Sequence, residues 1–302
     1  MWRLLAYAAI YLFWGASFLA IRVVVADVPP IFAAGVRFFS AGLLLVLFGL
    51  FRRLQQPKGV EWRNLIVVAL ILFVGDYALL FVIEQKLVSG LAAVTAATIP
   101  AQIFLFEWLW LRRVRMTAMT GLGLLLGLGG VVALSLPPNF LVTHEGLNRY
   151  VLLGILAATF WAFGTVLSTR LTLPKARPVL AGWQMTAGGL ALLALSGATR
   201  EWGQLSMAAF TPKVVWSMLY LVFFASLLAF SAYVYLLQRE PARRVASYAY
   251  VNPVLALILG AVLAGEALSP RQYMACGVII AGVLVTLLGR DAAVQREAIR
   301  ST

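Results

Sequence analysis

Ten stretches of about 20 apolar residues each, separated by short polar breaks, occupy almost the whole chain. At 1.5 Å per residue each is long enough to cross a hydrocarbon layer of about 30 Å. A water-soluble fold could not use so many, because too little polar surface would remain for the solvent. The reading is therefore an all-α membrane protein of ten transmembrane helices. The spans lie near residues 4–25, 30–51, 64–84, 89–110, 117–136, 150–169, 178–196, 214–238, 244–264 and 269–288. Barrel strands need only about ten residues and would alternate in polarity. The first span starts almost at Met1 and lacks a small-residue cleavage site, so it is read as a retained helix.

The formal charge of +13 could suggest nucleic acid, but its placement argues otherwise. In a ten-span layout 17 of the 24 Lys and Arg fall on the side of the termini, five on the other, and Arg22 and Arg37 within spans. This is the positive-inside asymmetry, and it predicts a multi-pass cytoplasmic (inner) membrane protein with both termini in the cytoplasm. The basic charge orients the chain and meets anionic lipid, so the bilayer is the expected partner and nucleic acid is not. Cys276 is alone and the single His144 lies in a loop, so neither a disulfide nor a metal cluster is expected, and no cofactor is called for.

A linker over 137–149 divides the chain into five spans and five. Spans one and six share a mid-span Trp, Trp14 and Trp161. Spans four and nine each hold an interior proline, Pro100 and Pro253, and at the same offset of 153 residues Gln85 matches Gln238, Lys86 matches Arg239 and Gly129 matches Gly282. An odd number of spans per unit inserts the second unit upside down. The expectation is two inverted five-helix repeats, 1–136 and 150–290, followed by a cytoplasmic tail, 291–302. Inverted repeats frame many secondary transporters, with the substrate site near the midplane. The two prolines are read as paired kinks with a gating role, against the plainer reading of packing bends.

Trp14-Gly15-Ala16-Ser17-Phe18-Leu19-Ala20-Ile21-Arg22, then Val28-Pro29-Pro30 and Val36-Arg37-Phe38, resembles the opening of the drug/metabolite transporter superfamily, EamA type. Tyr250-Val251-Asn252-Pro253-Val254 and Gly265-Glu266-Ala267-Leu268-Ser269 resemble the end of its second repeat. The resemblance covers the full length. It implies export of small metabolites, often amino acids, through a central cavity. The family glutamate at Glu266 has no counterpart in the first half, where Arg112, Arg113 and Arg115 stand.

A charge at the centre of a membrane helix costs on the order of 2.5–3.5 kcal/mol even on lenient scales. Asp76, mid-span, is thus the leading candidate for binding a substrate ammonium or exchanging a proton, with Glu84 two turns on. Arg22 and Arg37, toward the span ends, are expected to snorkel. Thr95, Thr98 and Gln102 share a helical face, and Tyr248 and Asn252 stand one turn apart. Together with Trp14, Ser17, Tyr77, Trp161, Gln184, Phe230 and Tyr233 they form the expected substrate-binding set. Helix-joining hydrogen bonds are the plainer account of any single Ser or Thr. Gly123 and Gly127 allow close helix approach, read as packing within one chain, so a monomer is expected and a dimer is the rarer outcome.

The leading function is a secondary exporter of small amphipathic metabolites, amino acids first, working by alternating access. The chain holds no ATP-binding motif. A cationic-drug/proton antiporter is the alternative, and an anion exchanger would want more midplane cations than Arg37. Gly75-Asp76 is similar to half of an aspartyl intramembrane protease site. The second facing aspartate is missing, since the others, Asp27 and Asp291, lie in a loop and the tail. The protein is therefore not expected to be an enzyme.

Overall fold

A computed structural model describes residues 2–110, 117–135, 149–266, 269–271, 273–282 and 284–285. The linker 137–149 except Arg149, His144, the Arg112–Arg115 cluster and the tail 291–302 lie outside these described residues. Among the described residues the chain is helical, without strands. Seven helices of 20–26 residues are long and apolar enough to cross a membrane: α1 (Trp2–Val25), α2 (Pro30–Phe51), α3 (Val60–Glu84), α4 (Ser89–Leu109), α6 (Arg149–Ser168), α7 (Arg177–Ala198) and α8 (Pro212–Leu237). Between and after them come α5 (Ala118–Ser135), α9 (Tyr248–Ala264) and the shorter α10 (Tyr273–Gly282).

The polarity is that of a protein in lipid. Ser17, Arg37, Asp76, Glu84, Thr165, Gln184, Ser226 and Asn252 are buried. Leu43, Leu47, Phe48, Phe51, Trp216, Phe223, Val262 and Leu263 face outward. Such an exposed apolar surface would be a liability in water and is the requirement in hydrocarbon.

Two close contacts organise the bundle. At α2 and α7 a methyl group on Gly42 would fall within 3.0 Å of Thr186, and one on Gly189 within 3.0 Å of Phe39. Gly35 likewise meets Leu193, and Gly182 meets Val46. The contacts step forward along α2 as they step back along α7, so the two helices run antiparallel. They are also reciprocal: Gly35 and Gly182, Phe39 and Thr186, Gly42 and Gly189, Val46 and Leu193 are all 147 residues apart. The backbones come close along this whole face. Glycine permits it because no side chain keeps the backbones apart. The second contact joins α5 to α10, where Gly282 meets Gly127 and Gly123 while Gly130 meets Ile279, again antiparallel. Gly123, Gly127 and Gly130 of α5 therefore take part in a contact within the chain, while Gly121 and Gly129 face open space.

Helices α3 and α8 each carry a π-helical stretch, Leu70–Tyr77 and Leu221–Leu228. The wider turn leaves backbone carbonyls free to accept other partners and re-aims the side chains that follow. Helix α4 differs from the expected kinked span. It is two segments, Ser89–Ala96 and Ile99–Leu109, and Pro100 sits in the first turn of the second. The missing N–H and the ring of proline are best tolerated at that position. Pro253, by contrast, lies inside α9.

Candidate functional site

The middle of the bundle is a cluster of aromatic rings drawn from α1, α3, α6, α8 and α9. Trp14 and Trp161 meet edge to face at 5.6 Å. Tyr248 packs on Trp14 at 4.7 Å, and Tyr77 on Trp161 at 5.7 Å. Tyr233 contacts Trp14 and Trp161, both at 5.2 Å, and Phe230 at 5.8 Å. Edge-to-face pairs of this kind add about 0.5–1.5 kcal/mol beyond burial and hold ring orientation. The indole N–H of Trp14 donates to the carbonyl of Ala225 at 2.8 Å, a group inside the π-helical stretch of α8. The Trp161 indole nitrogen makes no hydrogen bond of normal geometry and lies near the Tyr248 hydroxyl.

Beside this cluster lies a cavity of about 50 Å³, lined among others by Trp14, Ser17, Asp76, Tyr77, Trp161, Tyr248 and Asn252. That is the volume of one or two waters, so a solute requires the walls to part. Asp76 is the acidic residue of this lining, brought there by the π-helical stretch of α3. Its carboxylate makes no ion pair or hydrogen bond, and the cationic charge acting on it is that of Arg37. Asn252, with its amide oriented to donate, bonds the carbonyls of Tyr248 at 3.1 Å and Tyr11 at 3.2 Å. Ser17 donates to the Trp14 carbonyl at 2.8 Å.

The remaining expected site residues stand elsewhere. Gln184 lines a second, wider pocket of about 590 Å³ together with Ser168, Lys175, Tyr233 and Arg239. Tyr233 therefore belongs to the wall between the two spaces, fixed by a 2.5 Å hydrogen bond to Thr165. Phe230 backs that wall. Thr98 and Gln102 bond locally, Gln102 to Thr98 at 2.9 Å and Thr98 to the Thr95 carbonyl at 2.7 Å. The break in α4 separates Thr95 from them, and Thr95 is the one of the three that lines the cavity.

The two ends of the bundle differ. At the end bearing the α1–α2 loop, Arg22 pairs with Glu266 at 2.9 Å and donates to the carbonyls of Glu84, at 2.9 Å, and Leu87. Ser89 gives Glu266 its hydroxyl at 2.6 Å and its backbone N–H at 3.1 Å. Gly265, at φ +63°, makes the turn that folds Glu266 back. Arg22 thus bridges α1, α3 and the end of α9 while its side chain stays a third exposed. A 400 Å³ depression at this end is lined by residues such as Asp27, Gln85 and Glu201, none of which reach the central cavity. The wide pocket opens at the opposite end, between α6, α7 and α8.

Arg37 departs from expectation. It is fully buried, not snorkelled, with Nε donating to Ser226 at 2.8 Å and the guanidinium 4.5 Å from the Phe38 ring centre. The sequence reading also passed over Tyr11, a hydroxyl on an apolar helix that only its partner in space, Ser247 at 2.7 Å, distinguishes.

The sequence model of the EamA-like transporter family matches residues 1–136 and 148–288. The uncharacterized inner membrane transporter YedA of Escherichia coli K12 is 34% identical over 284 residues, covering 93% of this chain and 89% of YedA. A protein of Salmonella typhimurium described as a probable amino-acid metabolite efflux pump is 29% identical, with 91% of each chain covered. A solved crystal structure superposes with a TM-score of 0.67 over 96% of this chain and 98% of its own, at 22% identity, so the two share a fold.

Proposed function

We propose that this chain, which belongs to the EamA-like transporter family, is a secondary transporter that exports small metabolites, amino acids first, across the cytoplasmic membrane. The observation that carries the reading is the central cavity: a buried, unpaired Asp76 facing aromatic walls, closed toward one end and separated from a wide pocket at the other by Tyr233. An amino acid needs an anion for its ammonium, dipoles for its carboxylate and an apolar wall for its side chain. Asp76, the amide of Asn252 and the Trp14–Trp161 pair meet these needs in kind. The kinship to a probable amino-acid metabolite efflux pump points the same way.

The architecture behind it is ten membrane spans in two inverted five-helix repeats, 1–136 and 150–290. The antiparallel, reciprocal α2–α7 contact, the paired π-helical stretches and the two segments matched by the family support it. Charge placement puts both termini in the cytoplasm, so the wide pocket beside Lys175 and Arg239 faces inward and the Arg22–Glu266 contact closes the outer side. Alternating access exchanges these two closures, with Tyr233 as the inner barrier and rocking about the α4 break and Pro253. The protein acts on a small-molecule substrate as a monomer in the bilayer, without a cofactor.

A second reading, a cationic-drug/proton antiporter, has one observation in its favour: Asp76 is the acidic residue lining the cavity. One experiment separates the two. Purified protein in liposomes is loaded with single radiolabelled amino acids, and release is followed with and without a pH gradient. Saturable release of an amino acid supports the proposal, whereas gradient-driven movement of lipophilic cations alone supports the antiporter.

A further inference from the structure

Arg37 is, with Glu84, a fully buried charge whose terminal polar atoms the fold leaves without hydrogen-bond partners. Its side chain is completely buried in α2, its two terminal nitrogens have no hydrogen-bond partner, and it forms no ion pair. Only Nε is held, by Ser226 in the π-helical stretch of α8. The guanidinium otherwise rests on rings, with its carbon 4.5 Å from the centre of Phe38, 5.3 Å from Tyr77 and 5.9 Å from Phe81. Aromatic faces recover part of the lost hydration. Asp76 acts on it electrostatically but forms no salt bridge with it, and two buried guanidinium nitrogens without acceptors are costly to retain. Packing does not demand it. At the reciprocal position of the α2–α7 contact, 147 residues on, stands the neutral Gln184, equally buried.

An acceptor for the two free nitrogens has a place to come from. Tyr77 lines the central cavity, and its ring centre also lies 5.3 Å from the Arg37 guanidinium carbon. Asp76, the neighbouring residue, presents the opposite charge to the same cavity. An anion that lines the space and a cation behind its Tyr77 wall, within electrostatic reach of each other but not in contact, stand at a cavity walled by aromatics. Together they complement a neutral solute that carries both an ammonium and a carboxylate.

We infer that Arg37 is the carboxylate receptor of the transported molecule, reached when the Tyr77 ring turns aside, so that the site selects zwitterions over simple cations. The inference rests on the amino-acid reading above and adds the residue that sets its substrate class. The planar fork of arginine suits a carboxylate through two parallel hydrogen bonds, and Ser226 fixes the fork by its third nitrogen. Asp76 alone would accept any amine.

The test uses the full-length protein in liposomes and three probes: phenylalanine, phenylalanine amide, which lacks the carboxylate, and 3-phenylpropionate, which lacks the amine. The wild type is expected to move phenylalanine in preference to both. Arg37→Gln, which installs the side chain of the reciprocal position, should lower phenylalanine flux by at least about 10-fold while leaving the amide within about twofold. Arg37→Lys, with its charge kept and its fork lost, should fall between, which separates recognition from folding. Thermal unfolding of the three proteins checks that each is intact. Equal phenylalanine-to-amide ratios in wild type and Arg37→Gln overturn the role of Arg37 and leave the amino-acid reading standing. Failure of the wild type to move phenylalanine, with the amide moving freely, overturns both.

Discussion

Removing the carboxylate of Glu266 should unlatch one end of the bundle, and the structure gives the size of the effect. Glu266 pairs with Arg22 at 2.9 Å and accepts the Ser89 hydroxyl at 2.6 Å and its N–H at 3.1 Å. The Glu266 side chain is 10% exposed but that of Arg22 is 33% exposed, so water screens part of the pair. Hydrogen bonds to a charged group contribute about 1.5–3 kcal/mol each when buried. Discounted for the exposed arginine, Glu266→Gln should cost this closure about 2–3 kcal/mol. If the contact exists only when that end is shut, the equilibrium between the two closures moves by about 30- to 150-fold. The assay is labelling of a single cysteine at Ser17, which lines the central cavity, in a Cys276→Ser background. A membrane-impermeant maleimide added at the Arg22–Glu266 side should label it slowly in the parent and at least about 10-fold faster after Glu266→Gln. Arg22→Gln should give a similar gain, and the double variant should gain little more than either alone, since both remove one contact. Unchanged labelling in both single variants would refute the latch, and fully additive gains would show that the two residues act apart.

Three further outcomes follow from the packing and the aromatic wall. Gly42→Leu should destabilise the fold by about 2 kcal/mol or more, read as a lower melting temperature, because its side chain would enter the α7 backbone. Gly121→Ala in α5, with open space around it, should be neutral or stabilising by up to about 1 kcal/mol in the same assay. Tyr233→Phe removes the hydrogen bond to Thr165, worth about 1 kcal/mol, and should change flux about fivefold; Thr165→Val should do the same, and the pair should not add.

The architecture was legible to the extent that it depends on hydrophobic run length. The spans from 4–25 to 178–196 coincide with helices to within a few residues, because a bilayer permits few other solutions for such runs. Trp14 and Trp161 also stood out, being large amphipathic side chains in the middle of spans. The repeat offset was harder to see. The glycine contacts and the tryptophans lie 147 residues apart, the two π-helical stretches 151, and the prolines 153. No single offset aligns all of these features, so a comparison at one fixed spacing finds only part of the correspondence.

Less of the site could be read. A helical period places Thr95, Thr98 and Gln102 on one face, but of the three Thr95 alone lines the cavity, with the break in α4 falling between it and the other two. Arg37 was assigned to the lipid boundary by its distance from the span centre. That assignment fails because a side chain pointing between helices has no route to water, whatever its depth. Asp76 needed no partner to be noticed. The position of its opposite charge behind Tyr77 is set by the packing of α2 against α3 and α8, which sequence spacing does not encode.

The most direct test of the central claim is equilibrium binding of radiolabelled phenylalanine to purified protein, wild type beside Asp76→Asn. The account predicts saturable binding to the wild type that weakens at least about 10-fold in Asp76→Asn, with both proteins melting at similar temperatures. Equally tight binding by the two would place the substrate away from the Trp14–Trp161 cavity and contradict the account.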